Sequence, residues 1–420
     1  MAVASVALAM LAASVLHRQR GGSLSEARLD RSHLAAAVRS ERYFRFAGRS
    51  AGAGFASLSR FWPTADGWVR THANYPWHRA ALLSTLGTPE DVSAVAAALT
   101  EWRAEEVEEA LFSAGGVAGA VRTLDTWASH PQGDAVANEP LIGHRVLGEA
   151  VPRLRGPGSV PASGVRVLDL TRVIAGPVCT RYLAALGADV LRLDPPDHID
   201  MRPGEVADAL LGKRSALLDL GSGDADDTLH RLLDQADVVV CGYRPGALDR
   251  FGLSEDDLAE HHAGIVVVYL AAWGHSGPWK ARRGFDSIVQ APTGIAHQEK
   301  LAGEGPGVLP CQLLDHGTGY LAAAAALDGL RRQADHGGTH IRRVSLARTA
   351  WWLTSTPPTP AEGAAAEPAL SPWLAELDSA TGPITAVLPP GKFGTEALRW
   401  PSRASGYGDD PPSWASRVDA

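Results

Sequence analysis

The chain has 420 residues, 45% hydrophobic and 20% charged, an ordinary balance for a globular protein. A formal net charge of -8 without any basic cluster excludes a nucleic-acid binder. Three widely spaced cysteines (Cys179, Cys241, Cys311) exclude a disulfide framework, and fifteen histidines without HExxH or Cys/His ligand spacing point to no metal.

The odd, dispersed cysteines fit a reducing, cytoplasmic compartment. Lysine occurs at four positions (Lys213, Lys280, Lys300, Lys392) against 35 arginines, so anion binding falls to Arg. Length implies about two or three domains.

The first predicted element is the apolar run Met1 to Leu16. No basic residues precede it, and it is short beside the roughly 20 residues of a membrane span. A buried helix is expected instead of a signal peptide or anchor. His17, Arg18 and Arg20 follow, then Gly21-Gly22 and a second small apolar segment, Ser32 to Ala37. Leu321 to Trp352 repeats this order: apolar helix, basic end, Gly337-Gly338, short segment, apolar helix. The self-similarity implies two partial copies of one unit.

From residue 160 the chain reads as βαβ units. Val165–Leu170, Asp189–Leu193, Ser215–Leu220, Asp237–Val240 and Ile265–Leu270 are short, continuously apolar runs. Such runs fit parallel strands buried on both faces. Helices are expected at Val178–Leu186, Ala225–Gln235 and Glu255–His262. Ligands bind at the carboxyl ends of such strands. The loops 171–177, 194–196, 241–246 and 271–278 fall there. At the first turn Gly176 permits a tight bend, and Pro177 suits a first helical position, where a missing N–H costs nothing. An anion or developing oxyanion can sit at such a helix start. The scattered arginines near these strand ends are otherwise ordinary solvated surface.

Asp194 ends the second strand, where a dinucleotide enzyme places a ribose ligand, but no GxGxxG precedes it, so NAD is not expected. Gly274-His275-Ser276-Gly277 is not the GxSxG elbow of a serine hydrolase. Asp315, before Gly317 and Thr318, reads by itself as a helix N-cap. His316 reads as a helix surface residue. Residues 356–372 are rich in Pro, Ala, Glu and Thr and read as a linker; 373–420 form a Gly/Pro-rich tail.

Four motifs in order carry a resemblance: Leu170 to Pro177, Gly212-Lys213-Arg214-Ser215, Ala236 to Gly252, and Gly284-Phe285-Asp286. Together they resemble the family III CoA-transferases, which include formyl-CoA transferase, the carnitine CoA-transferases and the α-methylacyl-CoA racemases. The implied fold is α/β: a Rossmann-like parallel sheet with helices on both faces plus a smaller α+β domain. The resemblance makes Asp315 the covalent nucleophile. It assigns coenzyme A, as a substrate, to Arg172, Val173, Ile174, Ala175, Lys213, Arg214, Leu218, Gly242, Tyr243, Arg244 and Arg250. Tyr243 offers a ring to adenine, and Arg a bidentate fork to phosphate. The implied partners are an acyl-CoA and a small carboxylic acid, with no nucleic acid and no membrane, in an interlocked homodimer.

The sequence departs from the family in three places. Racemases carry His where Phe285 stands, so a two-base racemase lacks a partner. Pro195 replaces a usual charged residue. Residues 1–155 resemble the C-terminal half of a family chain, small domain included, and 160–355 the N-terminal half, so the halves stand in permuted order. A non-catalytic CoA-binding remnant is the alternative expectation.

Overall fold

The computed structural model describes residues 1–23, 26–50, 54–197, 208–223, 225–300, 305–357, 370–379, 382–400 and 405–415. Helix α1 (Ala2–Gln19) opens the chain. A small unit follows: strands β1 (Phe61–Pro63) and β2 (Trp68–Thr71), helices α2 (Pro76–Leu86), α3 (Val92–Leu99) and α4 (Ala104–Ser113), and strand β3 (Ala118–Ala120). Its antiparallel sheet runs β1-β2-β3, over a core of Trp62, Val69, Leu82, Val95, Leu99, Val107 and Leu111.

The main sheet is built from β4 (Gly143–Leu147), β5 (Arg166–Leu170), β6 (Asp189–Asp194), β7 (Arg214–Leu217), β8 (Val238–Cys241), β9 (Val266–Ala271) and β10 (Thr339–Ser345). Its order is β7-β6-β5-β8-β9-β10-β4. All pairs are parallel except β10–β4. The order reverses between β5 and β8, and a crevice opens at the carboxyl ends of strands at such a reversal.

Helices α5 (Ala175–Ala185), α6 (Ala225–Leu233) and α7 (Glu255–His261) connect the strands. The strands alternate between two apolar layers. Val167, Val238, Val240, Val266 and Val268 pack with α1, α5 and a long helix, α9 (Leu313–His336), while Leu168, Val239 and Val267 pack with Leu229, Leu232 and Leu258 of α6 and α7. Burial on both faces is what the continuous apolar runs require. Between β9 and α9 lies the short helix α8 (Asp286–Val289), and α10 (Leu346–Ser355) follows β10.

Helix α1 lies parallel to α9. Met1 Cε is 2.9 Å from where a Cβ would stand on Gly317, and Gln19 Nε2 donates to Arg331 O and Asp335 Oδ1 at the far end. By length and composition α1 could cross a membrane; here Val6, Ala9, Met10, Ala13 and Leu16 are buried in the main core.

Two strands of the main sheet were not anticipated. β10 carries His340, Arg342 and Arg343, and its charges hide the strand pattern; β4 is a largely exposed edge. Of the expected linker, residues 358–369 lie outside the described residues. Within the expected tail, β11 (Leu374–Ser379) and β12 (Gly382–Val387) form a hairpin. Residues 405–415 run along β7: Asp410 N donates to Ser215 O, and Trp414 Nε1 to Leu232 O. An edge strand is thereby covered.

Candidate active site

The turn after β5 is locked by one buried carboxylate. Asp169 accepts from Thr171 N (3.0 Å), Thr171 Oγ1 (2.5 Å), Thr180 Oγ1 (2.6 Å) and Lys213 Nζ (2.9 Å). A Cβ on Gly176 would stand 2.2 Å from Thr171 Cβ, so the bend requires glycine. Val173 sits at φ 67°, an outlying conformation for a β-branched residue. Backbone strain of this kind collects at functional sites. Helix α5 starts at Ala175 without a side-chain cap, so its opening N–H groups lack a side-chain acceptor.

Helix α9 places Asp315 in its first turn, not at the N-cap, which is Gln312. Its Gly319 packs tightly on α5: a Cβ there would lie 2.5 Å from Ala175 O. The Asp315 N–H donates to Asp286 Oδ2 at 2.9 Å, and Asp286 Oδ1 accepts from Gln290 Nε2. Burial, the Asp286 charge and then Glu41 hold the Asp315 carboxyl well above the usual range. Burial likewise pushes Asp286 up to about 6, against the hydrogen bonds it accepts. The two carboxyls form one coupled acid pair.

Asp315 faces two cavities. The larger, about 920 Å³, lies at the strand-order reversal. Arg172, Val173, Ala175, Leu218, Gly242, Tyr243, Arg244 and Arg250 line it with Asp315, so most of the expected residues come together. The smaller, about 470 Å³, is bounded by Ile174, Val173, Phe285, Asp286 and residues of the N-terminal part, among them Glu41, Arg70 and His72. Ile174 therefore faces the second cavity and not the first.

Three expectations need correction. Lys213 is buried in its ion pair with Asp169 and lines neither cavity. Arg214 grips Asp189 at 3.0 Å, donates to Ser413 O and lies over the Trp414 ring. Both hold structure, because desolvation of a buried or half-buried cation demands a local acid. His316 is not a surface residue: it is buried, with Nε2 3.1 Å from Glu41 Oε2. Asp194 is likewise occupied, bridged to Arg192 by bonds of 2.7 and 2.8 Å.

The sequence reading missed the contribution of the small unit. Tyr75, Trp77 and His78 line the larger cavity, as do Arg282 and Arg283. His72 stacks on Phe285 at 3.9 Å, and His78 meets the same ring edge-on. Burial lowers both imidazoles, His72 to about 3 and His78 to about 4, so both stay neutral at pH 7. The run His72-Ala73-Asn74-Tyr75-Pro76-Trp77-His78, dense in rings, was the available signal.

The fold and site define a doubly wound α/β protein with a buried acid at its switch point and an arginine-lined crevice. The family model for CoA-transferase family III matches residues 162–378, and the chain belongs to that family. A probable fatty acyl-CoA transferase of Mycobacterium tuberculosis, Rv3272, is 33% identical over 198 residues, 44% of this chain and 50% of that protein. The formyl-CoA:oxalate CoA-transferase of Streptomyces coelicolor is 34% identical over 195 residues, 44% of this chain and 47% of that protein. The orthorhombic crystal form of Rv3272 from M. tuberculosis matches with a TM-score of 0.44 and 31% identity, over 47% of this chain and 56% of that one. The chain spans about half the length of the curated relatives it matches.

Proposed function

We propose that this protein is a cytoplasmic CoA-transferase that moves coenzyme A from an acyl-CoA to a small carboxylic acid, with Asp315 as nucleophile. The observation that carries this reading is the position of Asp315, a buried carboxyl that opens onto two cavities at once. Arg172, Arg244, Arg250, Arg282 and Arg283 give the larger cavity a cationic lining suited to the phosphates of CoA. Three free, buried cysteines support a reducing compartment. Family membership supports the assignment of the residues at the 171–175 turn and at Gly242 to Arg250.

The chemistry follows from the carboxylate. Ionised Asp315 attacks the thioester carbonyl; the C–S bond breaks, giving a mixed anhydride and CoA thiolate. The thiolate then attacks the Asp315 carbonyl and releases the first acid, leaving an aspartyl thioester. An acceptor carboxylate attacks that thioester and frees the thiolate again. The thiolate takes the new acyl group and regenerates Asp315. Covalent catalysis splits one hard exchange into easier steps. The opening N–H groups of α5, beside the turn that lines both cavities, are candidate donors to the developing oxyanions.

Incubation with acyl-CoA and hydroxylamine should leave a hydroxamate at Asp315, detected by peptide mass spectrometry. Transfer activity undiminished in Asp315→Ala would overturn the assignment. Tight CoA binding by wild type without any turnover of thioesters would favour the non-catalytic alternative.

A further inference from the structure

The smaller cavity contains a cation that the transfer chemistry above does not use. Arg70 lies on β2, directly opposite Phe61 in the β1–β2 pair. It is 94% buried, as its relative exposure of 6% requires. Its guanidinium carbon sits 4.6 Å from the centre of the Phe61 ring and 4.9 Å from that of Phe55. Two ring faces hold the planar group in place. Among the described residues Arg70 forms no ion pair, and its Nε has no acceptor. Burial lowers it to about 10, and only the more distant Asp286 charge opposes this.

A buried guanidinium without an acceptor is costly, and native structures pair such groups. Three of the four acids of the same cavity are engaged elsewhere. Asp286 accepts from Asp315 N and Gln290; Glu41 meets His316; Asp208 is 2.7 Å from Arg181. Asp315 is reserved for the covalent step. Two other arginines line this cavity: Arg181 is paired with Asp208, and Arg42 is exposed. The fork of Arg70 is therefore open to an anion arriving from the cavity, and a carboxylate matches its geometry with two parallel hydrogen bonds.

Resting on Asp315 as the reacting group, we infer that Arg70 binds a second carboxylate of the transferred or accepting acid, so that the protein prefers dicarboxylic acids and their monothioesters. A monocarboxylic acid has one carboxyl, which cannot be at Arg70 and at Asp315 together. A dicarboxylic acid spans the cavity, anchored at one end and reactive at the other. Loss of the anchor removes binding and orientation together.

The test titrates the full chain calorimetrically with oxalate, malonate, succinate and glutarate, each against the monocarboxylate of equal carbon number. At least one diacid should bind tenfold or more tightly than its partner. Arg70→Gln should abolish that preference, and Arg70→Lys should retain part of it. No preference in wild type for any of the four overturns the inference, without reliance on the folding of any variant. A preference that survives intact in folded Arg70→Gln overturns it equally. Hydroxylamine trapping at Asp315, run with acetyl-CoA and succinyl-CoA, reports separately on the nucleophile. If trapping fails while diacid preference persists, the transferase reading falls and the anion site stands; equal trapping with both thioesters and no diacid preference has the opposite meaning.

Discussion

In the proposed reaction Asp315 must be ionised to attack, yet its surroundings favour the neutral acid. Burial is the largest cause, and the Asp286 charge adds to it. Asp286 itself is raised to about 6. The raised carboxyl is neutral and costs little below its unfolded value near 4; as pH rises through about 6, its charge must be buried and stability falls. Activity has the reverse dependence, rising with pH as the pair loses protons. Asp286→Asn removes the like charge, so the acid limb of the pH–rate profile should move to lower pH. An unmoved limb would show that Asp286 does not govern the ionisation of Asp315. The sequence located Asp315 through its motif, but its partners come from residues 29 and 274 positions earlier, Asp286 and Glu41. Lys213 and Arg214 looked like ligands because sequence shows charge and not where it is neutralised. Arg70 was invisible for the same reason: only burial against Phe55 and Phe61 distinguishes it from the other arginines.

At the scale of elements, β5 and its turn depend on the Asp169–Lys213 pair. Both side chains are fully buried, and burial brings Lys213 down to about 8 while Asp169 counters that fall. The pair remains charged at pH 7, because Asp169 is lowered as well, Lys213 and Arg192 overcoming its burial. Asp169→Ala should destabilise the protein by about 3–5 kcal/mol in denaturant unfolding, since it strands a buried ammonium. A loss under about 1 kcal/mol would mean that the lysine escapes to solvent, an outcome at odds with an ordinary buried pair. The strands β5, β8 and β9 were legible because burial on both faces demands an unbroken apolar run. β10 was not, because Arg342 can be buried in a strand once Asp328 reaches it at 3.0 Å. β4 escaped notice because its exposed edge imposes no apolar pattern.

At the scale of the molecule, helix α1, the buried helix expected from the sequence, packs parallel against α9. One side of α1 is buried; on the other, Val3, Leu8, Leu11 and Val15 are exposed by 38–59%. Three of them fall at helical spacing, forming an apolar stripe. The homodimer implied by the family resemblance predicts twice the chain mass by light scattering; a monomeric wild type would overturn that expectation. Strand β4, from the N-terminal part of the chain, completes the β10 edge of the main sheet.

The two-sided exposure of Asp315 also bears on the traffic of the proposed reaction. In the proposed reaction, departing and arriving acids share one chamber, while the long thiol carrier occupies the other. The carrier can stay seated through both half-reactions, and only the acids need to change places. Donor-derived and acceptor acids then compete for a single doorway, and a free acid in excess delays turnover by blocking the exit of the previous one. Under the proposed function, selectivity for the carrier and selectivity for the acid lie largely in different walls, joined at Val173, Phe285 and Asp315, which line both cavities.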